Sequence, residues 1–232
     1  MMTDLEIIYR DPHLVAINKA HGLLVHRSAL ARDASEFAMQ ILRNQLGQHV
    51  YPAHRLDRKT SGVLLFSLDK SSDTLMQKMF ATGEIEKSYL AIVRGFTDDE
   101  GVIDYPLKKE NGKMQEALTR YETLERSEII IPNQKHETSR YSLLKVKPET
   151  GRMHQIRRHL AHVLHPIIGD RPHGCNKQNR MFKENYGMTT MLLHARQVRF
   201  RHPVLGIEIN IEARQSDEFF RIAKVLGFGI DF

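Results

Sequence analysis

The 232-residue chain is 41% hydrophobic and 27% charged, which allows a large buried core and excludes a disordered chain. Lys and Arg outnumber Asp and Glu by 34 to 28, a net charge of +6 with a pI near 9.4, which suits a polyanionic partner without establishing one. No apolar run approaches a membrane span, Met1-Met2-Thr3-Asp4-Leu5-Glu6 lacks the basic and apolar parts of a leader, and the lone Cys175 excludes an internal disulfide, so a cytoplasmic protein without a membrane partner is expected.

Short strands are predicted at 7–9, 14–17 and 23–25. A helix follows over 36–46, with Phe37, Ile41, Leu42 and Gln45 on one face. The run Val63-Leu64-Leu65-Phe66 predicts a buried strand over 63–68. After it comes a helix over 73–82, with Ser71 or Ser72 as N-cap and Gly83 as its stop. Alternation predicts strands at 87–95, 118–124, 128–131 and 141–146. A second helix spans 153–165, with Met153, Ile156, Leu160, Val163 and Leu164 as its apolar stripe. His154, Arg158, His162 and His165 lie opposite, and Arg157 sits at the stripe's edge, turned half inward. An inward arginine is costly unless it meets an anion. Strands at 192–200 and 207–211 and a helix over 217–226 close the chain. With no repeat, low-complexity tract or regular βαβ alternation, the prediction is one α+β domain over 1–232, a largely antiparallel mixed sheet with flanking helices.

Charge is unevenly spread. Between 140 and 173 seven Lys and Arg face only Glu149 and Asp170, and five histidines join them; between 94 and 137 ten acidic residues outnumber seven basic ones. The basic segment is a candidate phosphate-facing surface. Histidines 159, 162 and 165 invite a metal reading, but neither His-Glu-x-x-His nor paired Cys-x-x-Cys accompanies them, and no metal site is assigned. Gly-x-Gly-x-x-Gly, Walker A and Gly-x-Ser-x-Gly are also missing, so no cofactor is implied and a serine hydrolase is disfavoured.

The densest motif is His54-Arg55-Leu56-Asp57-Arg58-Lys59-Thr60-Ser61-Gly62, a single carboxylate between two arginines at the lip of a buried strand. A buried carboxylate without a partner tends to protonate and lose its nucleophilicity, whereas a nearby guanidinium keeps it charged. By itself the pattern also fits an ordinary turn aspartate. Together with Tyr89 in its Lys-x-Tyr strand and Thr150-Gly151-Arg152-x-His154-Gln155-Ile156-Arg157, it resembles the RluA-type family of pseudouridine synthases, over nearly the whole chain. Pro166-Ile167-Ile168-Gly169-Asp170 and Leu193-His194-Ala195 extend the likeness. Leu24-Val25-His26-Arg27-Ser28, Arg157-Arg158-His159-Leu160-Ala161-His162 and His173-Gly174 with Asn179-Arg180 resemble the branch that modifies transfer RNA.

The resemblance implies isomerisation of uridine to pseudouridine in RNA, in tRNA at uridine 65 of the T-stem next to the acceptor stem, by a monomer without an N-terminal S4 domain. It implies Asp57 as nucleophile, Tyr89 stacked on the target base, and Arg157 as partner to the Asp57 charge. RNA contacts fall to Arg55, His54, Arg58, Arg152, His154 and Arg158, with Arg55 filling the space of the flipped base. Where relatives have Lys-Pro-x-Gly, this chain has Lys19-Ala20-His21-Gly22, so a looser turn is expected. An rRNA-directed member of the family and a non-catalytic RNA-binding module are the alternatives. A metal-dependent RNA hydrolase would need a carboxylate or histidine cluster that the sequence does not offer.

Overall fold

The computed structural model of the protein describes residues 4–26, 36–130 and 137–229. In chain order the elements are β1 (Ile7–Arg10), β2 (Leu14–Lys19), α1 (Ala38–Leu46), β3 (Tyr51–Pro52), β4 (Ser61–Ser67), α2 (Lys70–Thr82), β5 (Glu86–Arg94), β6 (Glu100–Asp104), β7 (Leu107–Lys108), β8 (Met114–Gln115), β9 (Leu118–Ile129), β10 (Ser139–Pro148), α3 (Gln155–His162), α4 (Asn176–Tyr186), β11 (Leu193–Arg201), β12 (Glu208–Glu212) and α5 (Asp217–Val225). This is the α+β class that the residue pattern predicts. Two compact units form, Met1–Lys87 with Ala195–Arg214, and Ser88–His194 with Gln215–Phe232.

In the first unit β2 pairs antiparallel with β1 and β4, β3 joins β4, and β11 pairs with β12. Alternate residues point to one face: Leu14, Ala16, Val63, Leu65, Val198, Phe200, Ile209 and Ile211 make a core with Met76 and Met79 of α2. The cap of α2 is Asp69, not a serine. Its carboxylate accepts the Ser72 N–H at 2.8 Å and the Ser72 hydroxyl at 2.6 Å, so the helix starts three residues earlier than its apolar periodicity shows. Gly83, left-handed at φ 78°, stops it as expected. No ladder forms at 23–25. Leu24 makes a single bridge to Phe37, and the carbonyls of Leu24 and Val25 accept the N–H groups of Ala38 and Met39 that open α1. Those carbonyls cap a helix instead of pairing a strand. Arg27 and Ser28 lie outside the described residues.

In the second unit the antiparallel order is β5–β10–β9–β6. Strand alternation splits its side chains between two cores. Ala91, Val93, Leu144 and Val146 meet Ile156 and Leu160 of α3, with Tyr89 packed against them. Leu90, Ile92, Tyr141 and Leu143 meet Phe182 of α4 and Phe219, Ile222 and Ala223 of α5. The strands expected at 118–124 and 128–131 are one strand, β9. Leu143 faces Glu125 and Leu144 faces Thr123, so Leu124 bulges out and breaks the sequence alternation; Ile131 lies outside the described residues.

Helix α3 is shorter than 153–165 because left-handed residues bracket it, His154 at φ 54° and Leu164 at φ 66°. Met153 and Leu164 therefore leave the stripe and are exposed. Short β3, β6, β7 and β8 and the polar α4 are additional to the predicted elements. In α4 only Gln178 and Phe182 are buried, too few to register as a helical stripe.

Candidate active site

Asp57 lies half-buried on the loop between β3 and β4, and that loop is pinned from several sides. Leu56 and Thr60 are buried at its base, and the Thr60 N–H donates to the Asp57 carbonyl at 3.0 Å. The Gly22 N–H donates to the Arg58 carbonyl at 2.8 Å, while Arg58 Nε donates to the Gly22 carbonyl at 3.1 Å. Fully buried Lys19 adds the central tie. Its Nζ donates to the carbonyls of Ala20 and Leu23, both at 2.9 Å, and of Arg58 at 3.2 Å. The turn at Ala20 is thus held by an ammonium and is not loose. Burial lowers the Lys19 pKa to about 7, and the charge of Asp57 opposes that fall. Sequence reasoning missed Lys19, whose only signal was a cation closing a strand that begins with four apolar residues.

His54, expected on the RNA face, supports the same loop. Its Nε2 accepts the Leu65 N–H at 3.1 Å and its ring stacks on Phe80, with centroids 4.9 Å apart. Burial, then the nearby Lys87 charge, pulls its pKa to about 4, so at neutral pH the ring is an uncharged acceptor and offers no cation to a phosphate. Gly62 follows the motif because nothing larger fits. Its φ is +108°, and a Cβ there would lie 2.2 Å from the Ala195 carbonyl oxygen.

In the second unit Tyr89 is a half-buried strand residue on the α3 side of its sheet, opposite Val146 in register. Arg157 is buried at 4% exposure, further inward than its place at the edge of the apolar stripe suggests. Its partner within this unit is Asp170: Nε donates to Oδ2 at 2.7 Å and Nη2 to Oδ1 at 2.8 Å, a bidentate ion pair. Asn179 braces the loop, donating to the Asp170 carbonyl at 2.7 Å and accepting the Gly169 N–H at 2.8 Å.

Gln155 fastens the start of α3 to β9, donating to the Leu118 carbonyl and Thr119 Oγ1, both at 2.9 Å. His159 is fully buried. Its Nε2 donates to the Tyr105 carbonyl at 2.9 Å, so Nδ1 accepts from Thr119 Oγ1 at 3.0 Å. The histidine periodicity therefore includes a hydrogen-bonded core residue. Of the other expected RNA contacts, Arg55 and Arg58 are exposed. Half-buried Arg152 and Arg158 donate to backbone, Arg152 Nε to the Glu116 carbonyl at 2.9 Å and Arg158 Nη1 to the Lys108 carbonyl at 3.1 Å. His154 bonds His173.

These features, a pinned aspartate loop and a buried arginine on a basic helix, are accompanied by a sequence match: the RNA pseudouridylate synthase family matches residues 13–162, and the chain belongs to that family. The chain is 46% identical over 225 residues to tRNA pseudouridine synthase C of Vibrio parahaemolyticus serotype O3:K6, covering 92% of each chain. To the protein of the same name from Vibrio cholerae serotype O1 it is 49% identical over 210 residues, covering 86% of each. Among solved structures, human RNA pseudouridylate synthase domain containing 4 is similar with a TM-score of 0.73 and 26% identity, over 96% of this chain and 93% of that one.

Proposed function

We propose that this protein isomerises uridine to pseudouridine in transfer RNA, at uridine 65, with residues 1–232 acting as one catalytic domain. The observation that carries the reading is identity of 46% across 92% of both chains with a relative named for that activity. The family match over 13–162 runs through residues of both units, which supports a single working domain. The N1–C1′ bond of the uridine breaks, the uracil turns, and C5 bonds to C1′. C5 gives up a proton and N1 ends protonated, so atoms balance without a group donor, oxidant or water.

Asp57 is the nucleophile in this scheme, and the ties from Lys19, Gly22 and His54 hold its loop in place before substrate arrives. Tyr89 stacks on the target base and assists loss of the C5 proton. Arg157 supplies positive charge to the Asp57 carboxylate, and Arg55 takes the space vacated by the flipped uridine, whose unstacking costs a few kcal/mol. Arg58, Arg152, His154 and Arg158 contact the RNA backbone, which makes affinity fall steeply with salt. The enzyme acts as a cytoplasmic monomer.

The test is to incubate the protein with tRNA and with ribosomal RNA fragments, each tritiated at uracil C5, at equal concentration and salt. Tritium release from tRNA with the chain uncut is expected. Release from ribosomal fragments alone overturns the substrate, and cleavage or no release overturns the isomerase.

A further inference from the structure

The two non-glycine residues with positive φ among the described residues, His154 and Leu164, bracket α3. A left-handed histidine carries backbone strain on the order of 1 kcal/mol, which its surroundings must offset. At His154 the offsetting contact is a second histidine. His154 Nδ1 lies 3.0 Å from His173 Nε2, with the rings edge to face and their centroids 5.2 Å apart.

His173 in turn belongs to the loop that carries Asp170, and its N–H reaches Asp170 Oδ1 at 3.4 Å. Asp170 grips Arg157, and the Arg158 N–H donates to the His154 carbonyl at 2.9 Å. A closed circuit results: His154, His173, Asp170, Arg157, and back through one turn of α3. Gly174 keeps that loop tight, since a Cβ there would lie 2.0 Å from the Asp170 carbonyl oxygen.

We propose that His173 is a positioning residue for Arg157, holding His154 in the left-handed turn that starts α3 and so fixing the direction in which the helix presents its guanidinium. The inference rests on the function proposed above for Arg157. Its chemistry has a distinctive signature. A hydrogen bond between imidazoles needs one donor and one acceptor nitrogen, so a doubly protonated pair cannot make it. The groups facing the pair are Asp170, which favours protonation of His173, and Arg157 and Arg158, which oppose it. Burial is the largest influence and lowers the His173 pKa. His173 is therefore neutral near pH 7 and completes the bond there, and the bond fails once acid has protonated both rings.

The test compares wild type, His173→Phe and His173→Gln in single-turnover tritium release from tRNA between pH 5 and 8.5. At pH 7.5 and saturating enzyme His173→Phe is expected to lose at least about tenfold in the chemical step, with far-UV circular dichroism unchanged. His173→Gln, which keeps a polar atom but does not titrate, is expected to recover most of that loss and to lack the acid limb of the wild type. Wild-type rate and pH dependence in His173→Phe overturn the proposal; so does an acid limb in His173→Gln matching the wild type, the deciding measurement should His173→Phe fail to fold. A parallel readout needs no RNA: ¹⁵N imidazole spectra of the wild type should show His154 and His173 titrating as a coupled pair, uncoupled in His173→Gln. Independent titration overturns the proposal even where activity is normal. A coupled pair in a protein that releases no tritium faults the proposed function instead.

Discussion

Replacing Asp170 by Ala removes the two carboxylate oxygens that receive Arg157 Nε and Nη2 at 2.7 and 2.8 Å. The guanidinium is then left at 4% exposure without that bidentate acceptor, on a helix that Gln155 fastens to β9. Breaking a buried ion pair from one side costs ~3–5 kcal/mol, since the surviving charge keeps its desolvation penalty. With a urea m-value of about 3 kcal/mol/M, the upper part of the small-protein range, the midpoint should fall by about 1–1.7 M. Arg157→Met should cost a similar amount. Arg157→Met with Asp170→Leu removes both charges and should lie within about 1–2 kcal/mol of wild type, far from the sum of the single losses. The chain has no Trp, so urea unfolding is best followed by far-UV circular dichroism. A midpoint shift below about 0.3 M in Asp170→Ala, or a double variant as unstable as the two singles added, would refute the account of this pair.

Asp57→Asn should abolish tritium release while leaving the Kd for tRNA within about twofold by filter binding, because phosphates are held by Lys and Arg and the nucleophile acts only in the chemical step; residual turnover in a clean preparation counts against Asp57. Gly62→Ala should cost about 3 kcal/mol or more, since both the φ of +108° and the Ala195 backbone oxygen at 2.2 Å resist a side chain, and an unchanged Tm would contradict the close approach. His54 should make stability pH-dependent. Its folded pKa, about 4, is below the unfolded 6.5, so its contribution is complete above pH 6.5 and lost as pH falls toward 4, by about 2–3 kcal/mol at most. Urea midpoints at pH 7 and 4.5 should therefore converge in His54→Gln relative to wild type, and equal pH dependence in the two proteins would exclude the half-buried neutral ring.

Features that depend on neighbours along the chain were legible from the residues alone. Val63-Leu64-Leu65-Phe66 reads as a buried strand and is one, the closing helix was expected over 217–226 and forms as α5, and Gly83 ends α2 because a left-handed residue is needed there. The family of the chain was legible in three motifs, since chemistry requires particular residue types at fixed spacing. What depends on residues far apart in sequence was not legible. Lys19 looks like an ordinary strand-end cation until the carbonyls of Ala20, Leu23 and Arg58 converge on it, and His54 looks cationic until Leu65 and Phe80 enclose it. Asp170, which grips Arg157, lies thirteen residues away, beyond the left-handed Leu164 that follows α3, and the start of that helix is held by the bond between His154 and His173. Burial and hydrogen bonding change the charge and orientation of these side chains, and both are properties of the packed chain: a lysine, a histidine and an arginine acquire their roles only when tertiary contacts remove water from around them.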